Sequence, residues 1–367
     1  MDFVNLKAQQ AANKSEIDRR ISDVLNHGRY IMGPEVIELE DALKKYTKSK
    51  YCITVSSGTD ALTISLMALN IGPGDEVITT PFSFISTSEA ILNVGAKPVY
   101  VDIELQTCNI DSSKIESKIT KNTKAILPVS LYGQTSDMDE INAVASRHKI
   151  PVIEDAAQSF GAEYKGKKSC NLSDIGCTSF FPSKPLGCYG DGGAIFTNDE
   201  EIANLCKQIR VHGQSKRYVH NRIGLCGRMD TLQCAIVLAK FDKFDWEIEQ
   251  RSSIGNRYND ALDLNHIPRI QQRLNSKSVF GQYTILSDTR NDLQKFLSSF
   301  DIPTVIHYPI PINEQLAYRD ESTSNTHMAE KASKKVLSLP MSAYLTKDEQ
   351  DYIIDNLIKF RNNFSSE

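Results

Sequence analysis

The segment Ser179-Phe-Phe-Pro-Ser-Lys184-Pro-Leu-Gly-Cys-Tyr-Gly190-Asp-Gly-Gly-Ala194 sets one lysine between two aromatics and a proline on one side and a run of glycines on the other. Taking an ammonium out of water is costly, so a lysine this close behind a buried strand is one whose amine is used. Desolvation also lowers its pKa, which suits it to form a Schiff base with a carbonyl. By itself the segment reads equally well as a surface lysine in a glycine-rich loop. A second constellation, Glu154-Asp155-Ala-Ala-Gln158-Ser159, ends an apolar run. A carboxylate that ends a parallel strand lies at the sheet's carboxyl edge, where α/β folds bind ligands. There Asp155 would hold a protonated pyridine nitrogen and make the ring an electron sink, with Gln158 donating to a phenolate oxygen. The plainer reading is an aspartate capping the next helix. A third, Val55-Ser-Ser-Gly58-Thr59-Asp60-Ala61, joins a strand to an apolar helix. Exposed amides at a helix start, with hydroxyls beside them, make a phosphate site; a capping turn uses the same residue types.

Elements that would position these groups follow from the apolar spacing. Ile17, Ile21, Val24 and Leu25 predict a first helix, and Pro34 the first residue of a second, carrying Val36, Leu39 and Leu43. From residue 50 short apolar or β-branched runs alternate with helical stretches: Tyr51–Val55, Val77–Thr80, Pro98–Val101, Ala125–Val129 and Val152–Asp155. That alternation predicts βα units and a mostly parallel sheet. Further strands are expected at Cys177–Phe181 and Ala194–Thr197, and a helix from Asp199 to about Arg210. After about residue 230 the pattern predicts a long polar helix with Trp246, a strand over Val279–Leu286, a helix from Asn291 to Phe300, a strand near Thr304–Ile306 and a final helix after Leu345. The expected division is a large α/β domain over 1–235, N-terminal helices included, and a smaller α+β domain over 236–367.

Composition narrows the field. With 367 residues, 40% hydrophobic and 24% charged, the chain is an ordinary globular protein longer than one core usually grows. Its 42 basic and 46 acidic residues give a net charge of −4, which offers no footprint for nucleic acid or an anionic membrane. No window reaches ~18 uninterrupted apolar residues, so no membrane span is expected. The eight cysteines form no C-x-x-C, and no cleavable signal peptide is read ahead of them, so they are expected as reduced thiols in a cytoplasmic protein. The seven histidines form no metal-ligand spacing, and no metal is expected. Gly161-Ala-Glu-Tyr-Lys-Gly166-Lys167-Lys168 nearly matches a phosphate-binding loop, but Lys168 stands where Ser or Thr belongs; a hairpin turn is the better reading. G-x-G-x-x-G is absent, which weakens a dinucleotide-binding fold.

Taken together in the order Gly58, Asp155, Lys184, the three constellations are the parts of a pyridoxal phosphate site. The sequence resembles the sugar aminotransferases of the DegT/DnrJ/EryC1/StrS family, of fold type I, over nearly its whole length from Asp2-Phe-Val-Asn-Leu-Lys to the C-terminal helix. The motifs that carry the resemblance are Gly58-Thr59-Asp60-Ala61-Leu62, Gly72-Pro-Gly-Asp-Glu-Val-Ile78, Pro128-Val-Ser-Leu-Tyr-Gly133, Glu154-Asp-Ala-Ala-Gln158 and the Lys184 segment. Val152–Ala162, Cys177–Gly193 and Val305-Ile-His307-Tyr308-Pro-Ile-Pro311 resemble one branch most closely, the UDP-2-acetamido-2-deoxy-3-oxo-glucuronate aminotransferases of bacterial surface-polysaccharide pathways.

The resemblance implies pyridoxal 5′-phosphate as cofactor, L-glutamate as amino donor and a UDP-linked keto sugar as acceptor. It implies that Lys184 forms the Schiff base and moves protons, that Asp155 pairs with the pyridinium nitrogen and that Gln158 meets the phenolic oxygen. Gly58, Thr59, Asp60 and Ser179 would hold the phosphate, with Ser183 a further contact, and Phe84 would stack on the ring. A neighbouring subunit closes the site in the family, so a homodimer is implied. Where the family reads Gly-x-Asn-x-Arg, with the Asn reaching the partner's cofactor phosphate, this chain reads Gly224-Leu225-Cys226-Gly227-Arg228. A thiol is a weak donor where an amide is strong. Arg228, with His307 and Tyr308, is the candidate for the uronate carboxylate, since a guanidinium grips a carboxylate bidentately; an interface ion pair is the plainer role for it. Other readings are a 4-keto, 6-deoxy sugar as acceptor, a dehydratase of the same fold (against which Lys184 speaks, since those enzymes carry histidine there), and a non-catalytic sensor.

Overall fold

The computed structural model describes residues 1–318 and 326–364. Its central sheet is built from β1 (Tyr51–Val55), β2 (Glu76–Thr79), β3 (Lys97–Tyr100), β4 (Thr123–Leu127), β5 (Ile153–Asp155), β6 (Ile175–Ser179) and β7 (Gly193–Thr197). The order is β3-β2-β4-β5-β6-β7-β1, with a three-stranded and a four-stranded part joined where Ile126 and Val129 pair with Val152 and Asp155. Neighbours from β3 to β6 run parallel, while β7 runs antiparallel to both β6 and β1. Two reversals leave β1 pointing the same way as β5 and β6. The carboxyl ends of β1, β5 and β6 therefore meet at one edge of the sheet. The register fixes the meeting: Val55 and Ser179 both lie opposite Gly193, and Asp155 lies opposite Cys177. This is the mostly parallel mixed α/β sheet of fold type I that the strand spacing predicts.

Helices α1 (Leu6–His27), α2 (Pro34–Thr47), α3 (Gly58–Ala68), α4 (Ser86–Asn93), α5 (Met138–His148) and α6 (Glu200–Ile209) accompany the sheet. Pro34 is the first residue of α2 and Asp199 caps α6, its carboxylate accepting from Ile202 N. The hairpin over Tyr-Lys-Gly-Lys is present, with Tyr164 paired to Lys167 and both turn residues, Lys165 and Gly166, left-handed. Helix α3 is apolar nearly all round and buries Ala61, Leu62, Ile64, Leu66 and Ala68 in the largest core cluster. That burial pins its N-terminus to the sheet edge.

Beyond residue 230 the helix pattern resolves into two. Helix α7 (Thr231–Phe241) is apolar and largely buried, whereas α8 (Phe244–Leu264) carries the charges and Trp246. The spacing alone runs them together because the break at Asp242 and Lys243 has no glycine or proline. The division expected at 235/236 falls inside α7, which places Cys234, Val237 and Leu238 in one cluster with Val36 and Leu39 of α2. Helices α9 (Arg290–Ser298), α10 (His327–Lys335) and α11 (Lys347–Phe364) follow. The strand expected over Val279–Leu286 is confined to β8 (Tyr283–Leu286), antiparallel to β9 (Val336–Leu339). Thr304–Ile306 forms no strand, only a bridge from Val305 to Ser338. A separate cluster of Tyr258, Leu262, Tyr283, Ile285, Leu297, Leu337, Ile353 and Leu357 forms the core of this C-terminal part. No helix among the described residues is long and apolar enough to cross a membrane.

Candidate active site

Asp155 is the last residue of β5 and is buried among polar partners. Its Oδ2 accepts a hydrogen bond from Thr87 Oγ1 at 2.8 Å and its Oδ1 one from Ala157 N at 3.1 Å. Burial pushes its carboxyl pKa up, and Thr87, Ala157 and the charge of Lys184 oppose that shift. A turn and no helix follows Asp155, so it caps no helix; its Oδ1 holds the turn through Ala157 N and its Oδ2 is bonded to Thr87. Glu154 beside it is wholly structural: its Oε1 takes Ser130 Oγ at 2.9 Å and Ser169 Oγ at 2.7 Å, and its Oε2 takes Cys170 N at 2.8 Å.

Lys184 follows β6 on a tight loop, its own amide bonded to Phe181 O at 2.9 Å. Burial lowers the pKa of its ammonium and the Asp155 carboxylate pulls it back. The same lysine charge, after burial, holds the His307 imidazole down at about 4, so His307 is neutral near pH 7. Its Nδ1 lies 2.9 Å from Ser338 Oγ. Tyr308 donates nothing to His307; its hydroxyl accepts from Gln158 Nε2 at 3.0 Å, and burial raises its pKa so that the phenol stays protonated. Gln158 is fixed at its other end too, Oε1 accepting from Tyr132 N at 2.9 Å. An amide nitrogen has two hydrogens, so one remains for a ring oxygen.

The third constellation comes to the same edge. Ser57 caps α3, its Oγ accepting from Asp60 N at 3.0 Å, and Ser56 Oγ donates to the Asp60 carboxylate. Asp60 thus meets Ser57 through its amide and Ser56 through its carboxylate. The amides of Gly58 and Thr59 receive no partner among the described residues. Gly58 is a glycine for a local reason: a Cβ there would stand 2.6 Å from Ser179 Cβ. Thr59 Oγ1 donates to Ser86 Oγ at 2.9 Å, which ties α3 to the start of α4. Phe84 is 54% exposed, whereas Phe82 is fully buried; both rings lie near Tyr308, at centroid distances of 6.4 and 6.3 Å.

Cys226 and Arg228 lie on a segment beside the start of α3. There Gly227 O accepts from Ser56 N at 2.9 Å, and Arg228 Nη2 donates to Cys226 Sγ at 3.0 Å. Arg228 Nε is buried and unpartnered. Among the described residues no hydrogen bond joins Arg228 to His307 or Tyr308. Cys226 is also the one exposed thiol of the eight.

Sequence reasoning missed two residues that organise the site. Thr87, inside α4, has no local signature. Tyr132 lies in the quoted Pro128–Gly133 motif but was given no role; its amide holds Gln158 and its hydroxyl donates to the His307 carbonyl. The neighbouring Gly133 has φ of 97°, and a Cβ there would stand 2.4 Å from Gly281 N. Only glycine lets those two backbones touch.

With this geometry in place, the comparison with known proteins is decisive. The model of the DegT/DnrJ/EryC1/StrS aminotransferase family matches residues 11–358. This chain belongs to the DegT/DnrJ/EryC1/StrS aminotransferase family. It is 54% identical over 345 residues, 94% of this chain and 96% of the relative, to the UDP-2-acetamido-2-deoxy-3-oxo-D-glucuronate aminotransferase of Pseudomonas aeruginosa. A DegT DnrJ EryC1 StrS aminotransferase from Brucella abortus shares the fold at a TM-score of 0.95 and 38% identity, over 98% of this chain and 99% of its own. DesV of S. venezuelae, solved in complex with a ketimine intermediate, superposes at a TM-score of 0.96 and 34% identity over 98% of each chain. The cofactor of this family is pyridoxal 5′-phosphate, and the residues fit it: a buried carboxylate beside a lysine, and two free amides at the start of a helix.

Proposed function

We propose that this aminotransferase moves the amino group of L-glutamate to the keto carbon of UDP-2-acetamido-2-deoxy-3-oxo-D-glucuronate, giving UDP-2-acetamido-3-amino-2,3-dideoxy-D-glucuronate for a bacterial surface polysaccharide. The observation that supports this acceptor is the 54% identity, over almost the full length of both chains, to the Pseudomonas aeruginosa enzyme of that name.

Pyridoxal phosphate, when bound, supplies a carbonyl for the amino group and a ring that withdraws electrons. The chain's residues do the rest. Lys184 would hold the cofactor, then take the proton from the amino donor's α-carbon and deliver it to C4′ of the cofactor; its lowered pKa leaves a larger share of free amine for that task. Asp155 would stabilise a positive ring nitrogen, and the Thr87 hydroxyl favours its ionised form against the effect of burial. The Gly58 and Thr59 amides, with Ser179, take the phosphate; Gln158 donates to the phenolic oxygen; Phe84, the exposed aromatic, covers the ring. Glutamate gives up its amino group before the sugar receives it, so kinetics are ping-pong.

The acceptor's carboxylate falls to Arg228, whose Nη2 is paired with the Cys226 thiol, a weak acceptor that a carboxylate would readily replace. His307, neutral, contributes one donor and no charge, with Tyr308 beside it. Arg228 and Cys226 act across a homodimer interface, on the cofactor and sugar of the partner. Eight unpaired cysteines support a reducing, cytoplasmic setting.

The first test is the half-reaction. Glutamate added to the loaded protein with no sugar present should yield 2-oxoglutarate in proportion to the sites, and glutamate's α-proton should exchange with solvent by NMR. A protein that binds the cofactor and shows neither is a sensor, and the proposal fails.

A further inference from the structure

The face of α7 turned to the Lys184 loop carries two polar side chains seven residues apart, Gln233 and Lys240. Gln233 Oε1 accepts from Tyr189 N at 2.9 Å, and its Nε2 reaches the Tyr189 carbonyl at 3.5 Å. Lys240 is 1% exposed, a rare state for a lysine, since burying an ammonium is costly unless it is well bonded. Its Nζ donates to Gly187 O at 2.5 Å and lies 4.7 Å from the centre of the Tyr189 ring.

Gly187 lies on the loop that carries Lys184. The loop's neck is closed by Cys188 N on Phe180 O at 2.7 Å, and a Cβ at Gly187 would strike the Phe181 and Pro182 carbonyls at 2.7 Å. No side chain can therefore wedge the loop from within, and the Gly187 carbonyl turns into the protein to meet α7. Nothing in the mechanism above uses Lys240, and a leucine would fill its volume without any charge to desolvate.

We propose that Lys240 is a positioning residue for Lys184: by gripping the Gly187 carbonyl and the Tyr189 ring it fixes the lysine loop before the cofactor arrives. Burial draws the Lys240 pKa down to about 8, against the pull of Glu247 on α8 and of the Cys188 thiol, as for an amine bonded to protein instead of water. The inference rests on Lys184 being the cofactor lysine.

The test is cofactor capture by the apoenzyme, followed through the absorbance band of the lysine-linked cofactor, beside circular dichroism and thermal melting of the same apoproteins. Lys184→Ala must show no such band; if it does, the Lys184 assignment itself is wrong. Lys240→Met should fold, yet capture pyridoxal phosphate about tenfold more slowly and more weakly, the scale of one charge-assisted hydrogen bond. Lys240→Arg, which keeps the cation, should recover most of the loss, and Gln233→Ala should show a smaller loss of the same kind. Wild-type capture by Lys240→Met overturns the proposal. So does a lowered melting temperature with unchanged capture, or an arginine variant no better than methionine. Should Lys240→Met fail to fold, Gln233→Ala decides: wild-type capture by it overturns the clamp.

Discussion

Replacing Thr87 by valine tests the Asp155 account most sharply: it removes one hydroxyl, which bonds Asp155 and also Ser83 Oγ at 3.1 Å, and the Ser83 part of the loss does not vary with pH. Thr87 Oγ1 donates to Asp155 Oδ2 at 2.8 Å, inside a pocket where burial already pushes the carboxyl pKa up. A hydrogen bond to a charged group contributes about 1.5–3 kcal/mol. Its loss should raise the Asp155 pKa further, in the direction burial already takes it. The ionised carboxylate proposed to pair with the ring nitrogen then becomes harder to form, and pyridoxal phosphate affinity at pH 7 to 8 should fall by about tenfold or more. The apoprotein carries a second signature. A carboxyl whose folded pKa lies above its unfolded value contributes stability below the unfolded value, and that contribution is lost as pH rises through the folded value. The stability deficit of Thr87→Val should therefore be largest at neutral pH and shrink toward acid pH. Thr87→Ser should behave as wild type in both respects. Equilibrium titration of apoprotein with cofactor, and urea midpoints from pH 4 to 8, read the two effects. A valine variant that binds cofactor within twofold of wild type, with an unchanged pH profile, refutes the reasoning.

Three further outcomes are expected. Gly58→Ala puts a Cβ 2.6 Å from Ser179 Cβ and must part α3 from β6, so cofactor affinity should drop well beyond tenfold by equilibrium titration while the fold, read by circular dichroism, persists. Cys226→Asn restores an amide where the family carries one; if the segment reaches a partner's phosphate, cofactor retention during dialysis should improve by about three- to tenfold, the scale of a neutral hydrogen bond. His307 titrates near 4 in the folded protein against 6.5 unfolded, so the stability its neutral form contributes is present above pH 6.5 and lost as pH falls through about 4. Urea midpoints of wild type should fall across that window more steeply than those of His307→Gln; parallel curves would contradict a neutral His307.

Much of the fold was legible because the sheet strands are short apolar runs bounded by turns, and their βα alternation leaves few topologies. The C-terminal part was less so. Strand β8 is the end of a longer apolar run, and β9 starts at Val336 directly after α10 ends at Lys335, with no turn residue to mark either α10 or β9 in the sequence. At the site, Lys184, Asp155, Gln158 and Gly58 announce themselves through motif spacing. Thr87, Tyr132 and Lys240 do not, because each acts through a contact made far along the chain: 68 residues separate Thr87 from Asp155, and 53 separate Lys240 from Gly187. A threonine inside a helix or a lysine at a helix end has no local mark of such a partner. Asp60 is a related case. It stands in the phosphate motif, and in the fold its amide meets Ser57 Oγ and its carboxylate Ser56 Oγ, contacts that the motif alone does not announce.

The central claim is the identity of the acceptor, and one measurement addresses it: mass spectrometry of the products formed with glutamate from a UDP-linked 3-keto uronate and from 4-keto 6-deoxy nucleotide sugars. The account predicts an amino sugar from the 3-keto uronate, with a strong preference for it that Arg228→Met abolishes. Product from the 4-keto 6-deoxy sugars alone would contradict it.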